Sequence, residues 1–179
     1  MQKYNQNINS CSPIGVFDSG VGGTSIWKEI VALLPNESTI YLADSKNVPY
    51  GIRSKQEIIK LCEKNTELLL KKGCKLVVVA CNTATTNAID HLRNKYSVPF
   101  NGIEPAIKPA SIRSTSKVVG ILATKGTLGS ALFQETASLY KDGVQLLGQD
   151  GTGIEVLIEN VQLDYSEMMK LLKPTLIHI

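Results

Sequence analysis

Two histidines, one tryptophan and four cysteines are all this 179-residue sequence offers of the residues that most often announce a site. The cysteines, Cys11, Cys62, Cys74 and Cys81, form no CxxC pair, and neither His91 nor His178 stands at ligand spacing from them. That pattern argues against a zinc site and a disulfide framework, implies no metal, and suits a reducing cytoplasm. No apolar run approaches the roughly 20 residues of a bilayer span, so no membrane partner is expected. The opening MQKYNQNINSCS lacks the apolar centre of a signal peptide and reads as a frayed polar tail. Charge of one sign is also scarce. With 19 Lys and Arg against 16 Asp and Glu, the net charge is +3 and scattered, which argues against a nucleic-acid partner. The glycine-rich DSGVGG has Ser25 where a dinucleotide fingerprint needs its third glycine, and no Gly-Lys-Ser/Thr follows it as in a P-loop.

What is present is an alternation of short β-rich runs with longer amphipathic stretches. Strands are expected over 13–17, 38–43, 75–80, 98–103, 117–123 and 144–147. Helices are expected over 24–33, from Ser54 to about Lys72, over 83–96, from Pro105, and over 128–140. Ser54-Lys-Gln-Glu57 is a capping box, in which each side chain satisfies a backbone N–H of the other's residue, and Gly73 suits the helix end. Asp164-Tyr-Ser-Glu167 resembles a second helix start, and the closing Thr-Leu-Ile-His-Ile reads as a strand just begun. The βαβα order is that of a parallel α/β fold.

In open parallel sheets ligands collect beyond the carboxyl ends of the strands. Four segments fall there: Asp18-Ser19-Gly20, Pro49-Tyr50-Gly51, Cys81-Asn82-Thr83, and Thr124 to Thr127. Small polar groups and helix N-termini at four strand ends suit a compact anion. Cys81 stands where the buried run LVVVA meets a helix start. Such a position can lower a thiol's pKa and make it a base or nucleophile; the alternative is a small residue closing a strand. Asp18 suits proton transfer, ammonium binding or helix capping, and Tyr50 suits either the pocket wall or a loop staple. Cys62 and Cys74 read as packing and His91 as surface.

IGVFDSGVGG, ADSKNVPYG, VVVACNTATTNAI and GILATKGT, in this order and spacing, resemble the glutamate racemases of the aspartate/glutamate racemase superfamily. The resemblance implies cofactor-independent interconversion of L- and D-glutamate by cysteine thiol/thiolate proton transfer, supplying D-glutamate for peptidoglycan. It implies catalytic roles for Cys81, Asp18 and Glu159, and a substrate shell of Asp18, Ser19, Pro49, Tyr50, Gly51, Asn82, Thr83 and Thr127. It implies two parallel-sheet α/β domains after a tail of 1–12, the first over 13–98 and the second over 99–179. The family's second motif, Gly-Cys-Thr-His, has no counterpart here, so the second domain is expected to be incomplete and its C-terminal return to the first missing. The lone motif cysteine makes a weak or inactive racemase the expectation. A non-catalytic glutamate-binding remnant and an aspartate racemase-like enzyme are the alternatives. The resemblance allows a homodimer.

Overall fold

Branched and aromatic residues, which suit a pleated surface buried on both faces, supply the strands of two parallel sheets. In the computed structural model, which describes residues 8–140, 143–160 and 164–176, β1 (Ile14–Asp18), β2 (Thr39–Ala43), β3 (Leu76–Val79) and β4 (Phe100–Gly102) form the first sheet in the order β2-β1-β3-β4. β5 (Val118–Ala123) and β6 (Gln145–Asp150) form the second. Every pairing is parallel, so all the carboxyl ends within a sheet lie along one edge. The α/β class expected from the sequence is the class observed.

The helices are α1 (Thr24–Leu33), α2 (Lys55–Lys71), α3 (Asn82–Lys95), α4 (Ile107–Arg113), α5 (Lys125–Leu128), α6 (Ala131–Tyr140), α7 (Ile154–Glu159) and α8 (Tyr165–Leu176). Side chains alternate across the first sheet as the strand period requires. Phe17, Val77 and Val79 meet Ile58, Cys62 and Leu69 of α2 and Ala84, Ala88 and Leu92 of α3. On the opposite face Ile14, Val16 and Val78 pack against Ile26, Trp27 and Ile30 of α1. The small residues Ala84 and Ala88, both fully buried, let α3 lie close to the sheet and hold its first turn at the end of β3.

Local signals set most helix ends. Ser54 and Glu57 form the capping box, with the Ser54 side chain accepting from the Glu57 N–H and the Glu57 carboxylate accepting from the Ser54 N–H. Two expectations change. The helix expected over 128–140 is two, α5 and α6, because the Thr124 hydroxyl caps the first and Ser130 Oγ accepts from the Phe133 N–H at the start of the second. The strand expected after Pro174 is helical as far as Leu176: α8 starts at Asp164, whose carboxylate accepts from the Ser166 N–H, and runs on through the proline. α7, only six residues long, had no capping or periodic signal in the sequence. Phe100–Gly102 pair with β3 and thus belong to the first sheet. Ile177, His178 and Ile179, residues 1–7 of the polar tail and the Glu167 side chain lie outside the described residues.

Candidate active site

A cavity of about 380 Å³ lies between the carboxyl edges of the two sheets. Asp18, Ser19, Pro49, Tyr50, Gly51, Cys81, Asn82, Thr83, Thr127 and Glu159 all line it. Residues separated by up to 141 positions are thereby brought to one place, because parallel strands deliver their following loops to the same edge.

Cys81 is the N-cap of α3. Its sulfur accepts from the Ala84 N–H at 3.4 Å and lies 3.4 Å from the Ser19 hydroxyl. The first N–H groups of a helix have no acceptor within it, and Asn82 and Thr83, at the start of this 14-residue helix, line the cavity. The lowered thiol expected at a helix mouth is reversed here. Burial, and then the Asp18 charge, push the Cys81 thiol up to about 11, against hydrogen bonds from Ser19 and Ala84 that pull it down. At this depth the cost of desolvating a thiolate exceeds what the helix end returns.

The glycine turn after β1 holds protein carboxylates rather than open donors. Asp18 Oδ1 accepts from the Ser19 N–H at 2.8 Å and Oδ2 from the Gly23 N–H at 2.7 Å. Glu159 at the end of α7 reaches across and accepts from the Val21 N–H at 2.6 Å. The glycine at position 20 leaves room for this carboxylate, since an added Cβ would lie 1.9 Å from Glu159 Oε1 and would push it aside. The Ser19, Val21 and Gly23 N–H groups of this turn are therefore already taken by protein carboxylates. Beneath it, the Tyr41 hydroxyl donates to the Gly20 carbonyl at 3.0 Å. Burial first, then the charges of Asp18, Glu159 and Cys81, hold that phenol above its ordinary range.

Three hydroxyls form the opposite wall. Thr83 Oγ1 lies 2.9 Å from Thr124 Oγ1 and 3.0 Å from Thr127 Oγ1, joining the start of α3 to the β5–α5 turn. Gly51 packs against Thr124, where a Cβ would come within 2.7 Å of the threonine Cβ. Tyr50 fills both roles that its position suggested. It lines the cavity, while its hydroxyl turns into the core and donates to Asp44 Oδ2 at 2.6 Å. Asn82 sits exposed at the rim.

Sequence reasoning missed Glu155, which lines the cavity one helical turn before Glu159. Their i, i+4 spacing in GIEVLIEN was the available signal, but it carries weight only once α7 is known to be a helix. With Asp18 these make three carboxylates in the wall, and no Lys, Arg or His lines it among the described residues. Cys62 and Cys74 are buried away from the wall, and Cys11 is exposed. His91 pairs with Glu63 on the surface. No cluster of metal ligands occurs among the described residues.

Residues 14–175 match the family model described as Asp/Glu/Hydantoin racemase. The chain belongs to that family. It is 49% identical over 151 residues to a glutamate racemase of Herpetosiphon aurantiacus, covering 84% of this chain and 59% of the relative. To a glutamate racemase of Cupriavidus pinatubonensis it is 46% identical over 158 residues, covering 88% of this chain and 58% of the relative. The chain of this racemase-family member thus spans less than two thirds of the length of these relatives. Among solved structures it resembles a Bacillus anthracis glutamate racemase isoform, with a TM-score of 0.82 and 30% identity, over 94% of this chain and 64% of that one. It also resembles the Escherichia coli glutamate racemase in complex with L-glutamate and the activator UDP-MurNAc-Ala, with a TM-score of 0.82 and 32% identity, over 91% and 64% of the two chains. No described helix is long and apolar enough to cross a membrane.

Proposed function

We propose that this chain carries the Cys81 side of a glutamate racemase, which interconverts L- and D-glutamate without a cofactor. The observation that carries the reading is one thiol at the N-cap of α3, in a cavity lined by that helix's first residues and by Asp18, Glu155 and Glu159. Glutamate racemases bound to L-glutamate and to D-glutamate among the structural neighbours support the substrate. The α-carboxylate would take the Asn82 and Thr83 N–H groups and the threonine hydroxyls, and the ammonium would lie against the acidic wall of Asp18 and Glu159. An ammonium there offsets the charge that helps hold the Cys81 proton on, so binding itself favours the thiolate.

Ser19 provides a path for that proton, since its hydroxyl lies 3.4 Å from the sulfur and 3.4 Å from Asp18 Oδ1. Asp18 takes the thiol proton through Ser19. The thiolate then removes the α-hydrogen of D-glutamate, leaving a carbanion held beside the ammonium in a site that excludes water. With Cys81 as the one cysteine of the cavity wall among the described residues, the proton returns to the face it left. Purified chain incubated with D-glutamate in heavy water should take up deuterium at the α-carbon with little or no inversion. Full conversion to L-glutamate would refute the one-thiol account, and no exchange at all would refute the racemase chemistry.

The raised Cys81 thiol favours a second reading, a glutamate-binding remnant without catalysis. There Cys81→Ser would leave binding intact, and wild type would bind without exchange. An aspartate racemase-like enzyme would instead prefer the shorter substrate. Under all these readings glutarate, which lacks the ammonium, should bind at least about tenfold more weakly than its amino acid, because the acidic wall loses its partner. Supply of D-glutamate for peptidoglycan in the cytoplasm, a homodimer, and a division into two α/β units belong to the same proposal. The pairing of β4 with β3 supports a boundary after Gly102 rather than at 98/99.

A further inference from the structure

The Pro49–Gly51 wall of the cavity hangs on a loop that leaves the sheet after β2, and a buried polar cluster lies directly behind it. Asp44 is 9% exposed, Tyr50 1% and Asn65 of α2 4%. Asp44 Oδ2 accepts from the Tyr50 hydroxyl at 2.6 Å and from Asn65 Nδ2 at 3.4 Å, while Oδ1 accepts from Asn47 Nδ2 at 2.8 Å. Asn65 Nδ2 also donates to the Tyr50 oxygen at 3.1 Å. No lysine, arginine or histidine takes part. Burial first, and then the bond to Asp44, keep the Tyr50 phenol protonated, so it remains a donor.

Such a cluster is an expensive way to fill a core. An apolar set of the same shape often gives equal or greater stability, whereas a fully satisfied polar set restricts its members to one arrangement. Here that arrangement is tied to the site from two sides. The Asp44 N–H donates to the Asp18 carbonyl at 3.0 Å, fixing the loop to the end of β1. The Arg53 side chain donates to the Asn47 carbonyl at 2.8 Å, closing the far end. Tyr50 is thus held by its hydroxyl from behind, in the core, while the Pro49–Gly51 segment that carries it lines the cavity.

We infer that Asp44 and Asn65 are positioning residues that set the Pro49–Gly51 wall against bound amino acid, an inference resting on the racemase reading above. Neither lines the cavity; both act through Tyr50. Asp44 must be a carboxylate for this, since its oxygens meet three donors and an asparagine amide would turn N–H toward one of them.

The test compares the full chain with Asn65→Leu and with Tyr50→Phe, which keeps the ring and removes only the hydroxyl. D-Glutamate affinity is measured by calorimetry, hydrogen exchange by mass spectrometry of residues 47–53, and melting temperature alongside. Both variants should bind D-glutamate about tenfold more weakly, with faster exchange confined to 47–53. A fall in melting temperature with unchanged affinity would reduce the cluster to a structural one and overturn the positioning role. So would faster exchange without loss of affinity, or lost affinity with exchange unmoved. Failure of the wild-type chain to bind D-glutamate would instead overturn the racemase reading and the substrate-positioning role with it.

Discussion

At the residue scale Cys81 combines a helix mouth, which favours a thiolate, with burial and the charge of Asp18, which oppose it, and the opposition wins. With the thiol near 11, the thiolate fraction should rise about tenfold per pH unit from pH 7 to pH 10, where an exposed thiol would level off near 8.5. Carboxymethylation of the Cys81 peptide in a Cys11→Ser background, followed by mass spectrometry, should trace that slope; a plateau at pH 8.5 would contradict it. Glu159 is a second residue whose setting is specific. Gly20→Ala places a methyl where its carboxylate lies, and should break the bond to the Val21 N–H. D-Glutamate binding by calorimetry should then weaken about tenfold, roughly 1.4 kcal/mol, with Glu159→Gln affected less because an amide oxygen can still accept. Cys81, Asp18 and the threonines were legible in the sequence because each stands at, or within four residues of, the end of a strand that its own residues announce. Glu155 was not, since its place depends on a short helix with no signal of its own.

At the element scale, helix ends were read most closely where side chains cap them. The capping box at Ser54 and Glu57 and the N-cap at Cys81 are local events whose residues sit within one turn. Ser54→Ala should cost about 1 kcal/mol in urea denaturation. Leu92→Ala, which empties a fully buried position between α3 and the first sheet, should cost about 2–5 kcal/mol. Equal effects of the two would mean that α3 does not carry the core. The break between α5 and α6 and the run of α8 through Pro174 were misread for opposite reasons. In the first, hydroxyl caps at Thr124 and Ser130 interrupt a run that propensity alone would continue. In the second, a helix begun at Asp164 carries past a proline that would usually end it.

For the whole molecule, the buried weak acids share one direction. Cys62, Cys74, Cys81, Tyr41 and Tyr50 are all shifted upward, chiefly by burial. The folded chain therefore keeps protons that the unfolded chain gives up. The thiols' contribution to stability is fully present below about pH 8.5 and is lost as pH rises toward the folded values, with the tyrosines following above about pH 10. Urea midpoints should fall steadily from pH 8 to pH 11, and Cys62→Ala should flatten part of that fall; a pH-independent midpoint would exclude it. The sequence by itself determined the parallel α/β class, the approximate strand positions and the list of strand-end residues, because hydrophobic period and capping chemistry act over a few residues. Only the tertiary structure decided that Glu159 closes on the glycine turn 138 positions away, that α7 adds Glu155 to the wall, and that the Cys81 thiol is raised rather than lowered. Desolvation and long-range contact depend on what the rest of the chain packs around a group, and no local pattern records that.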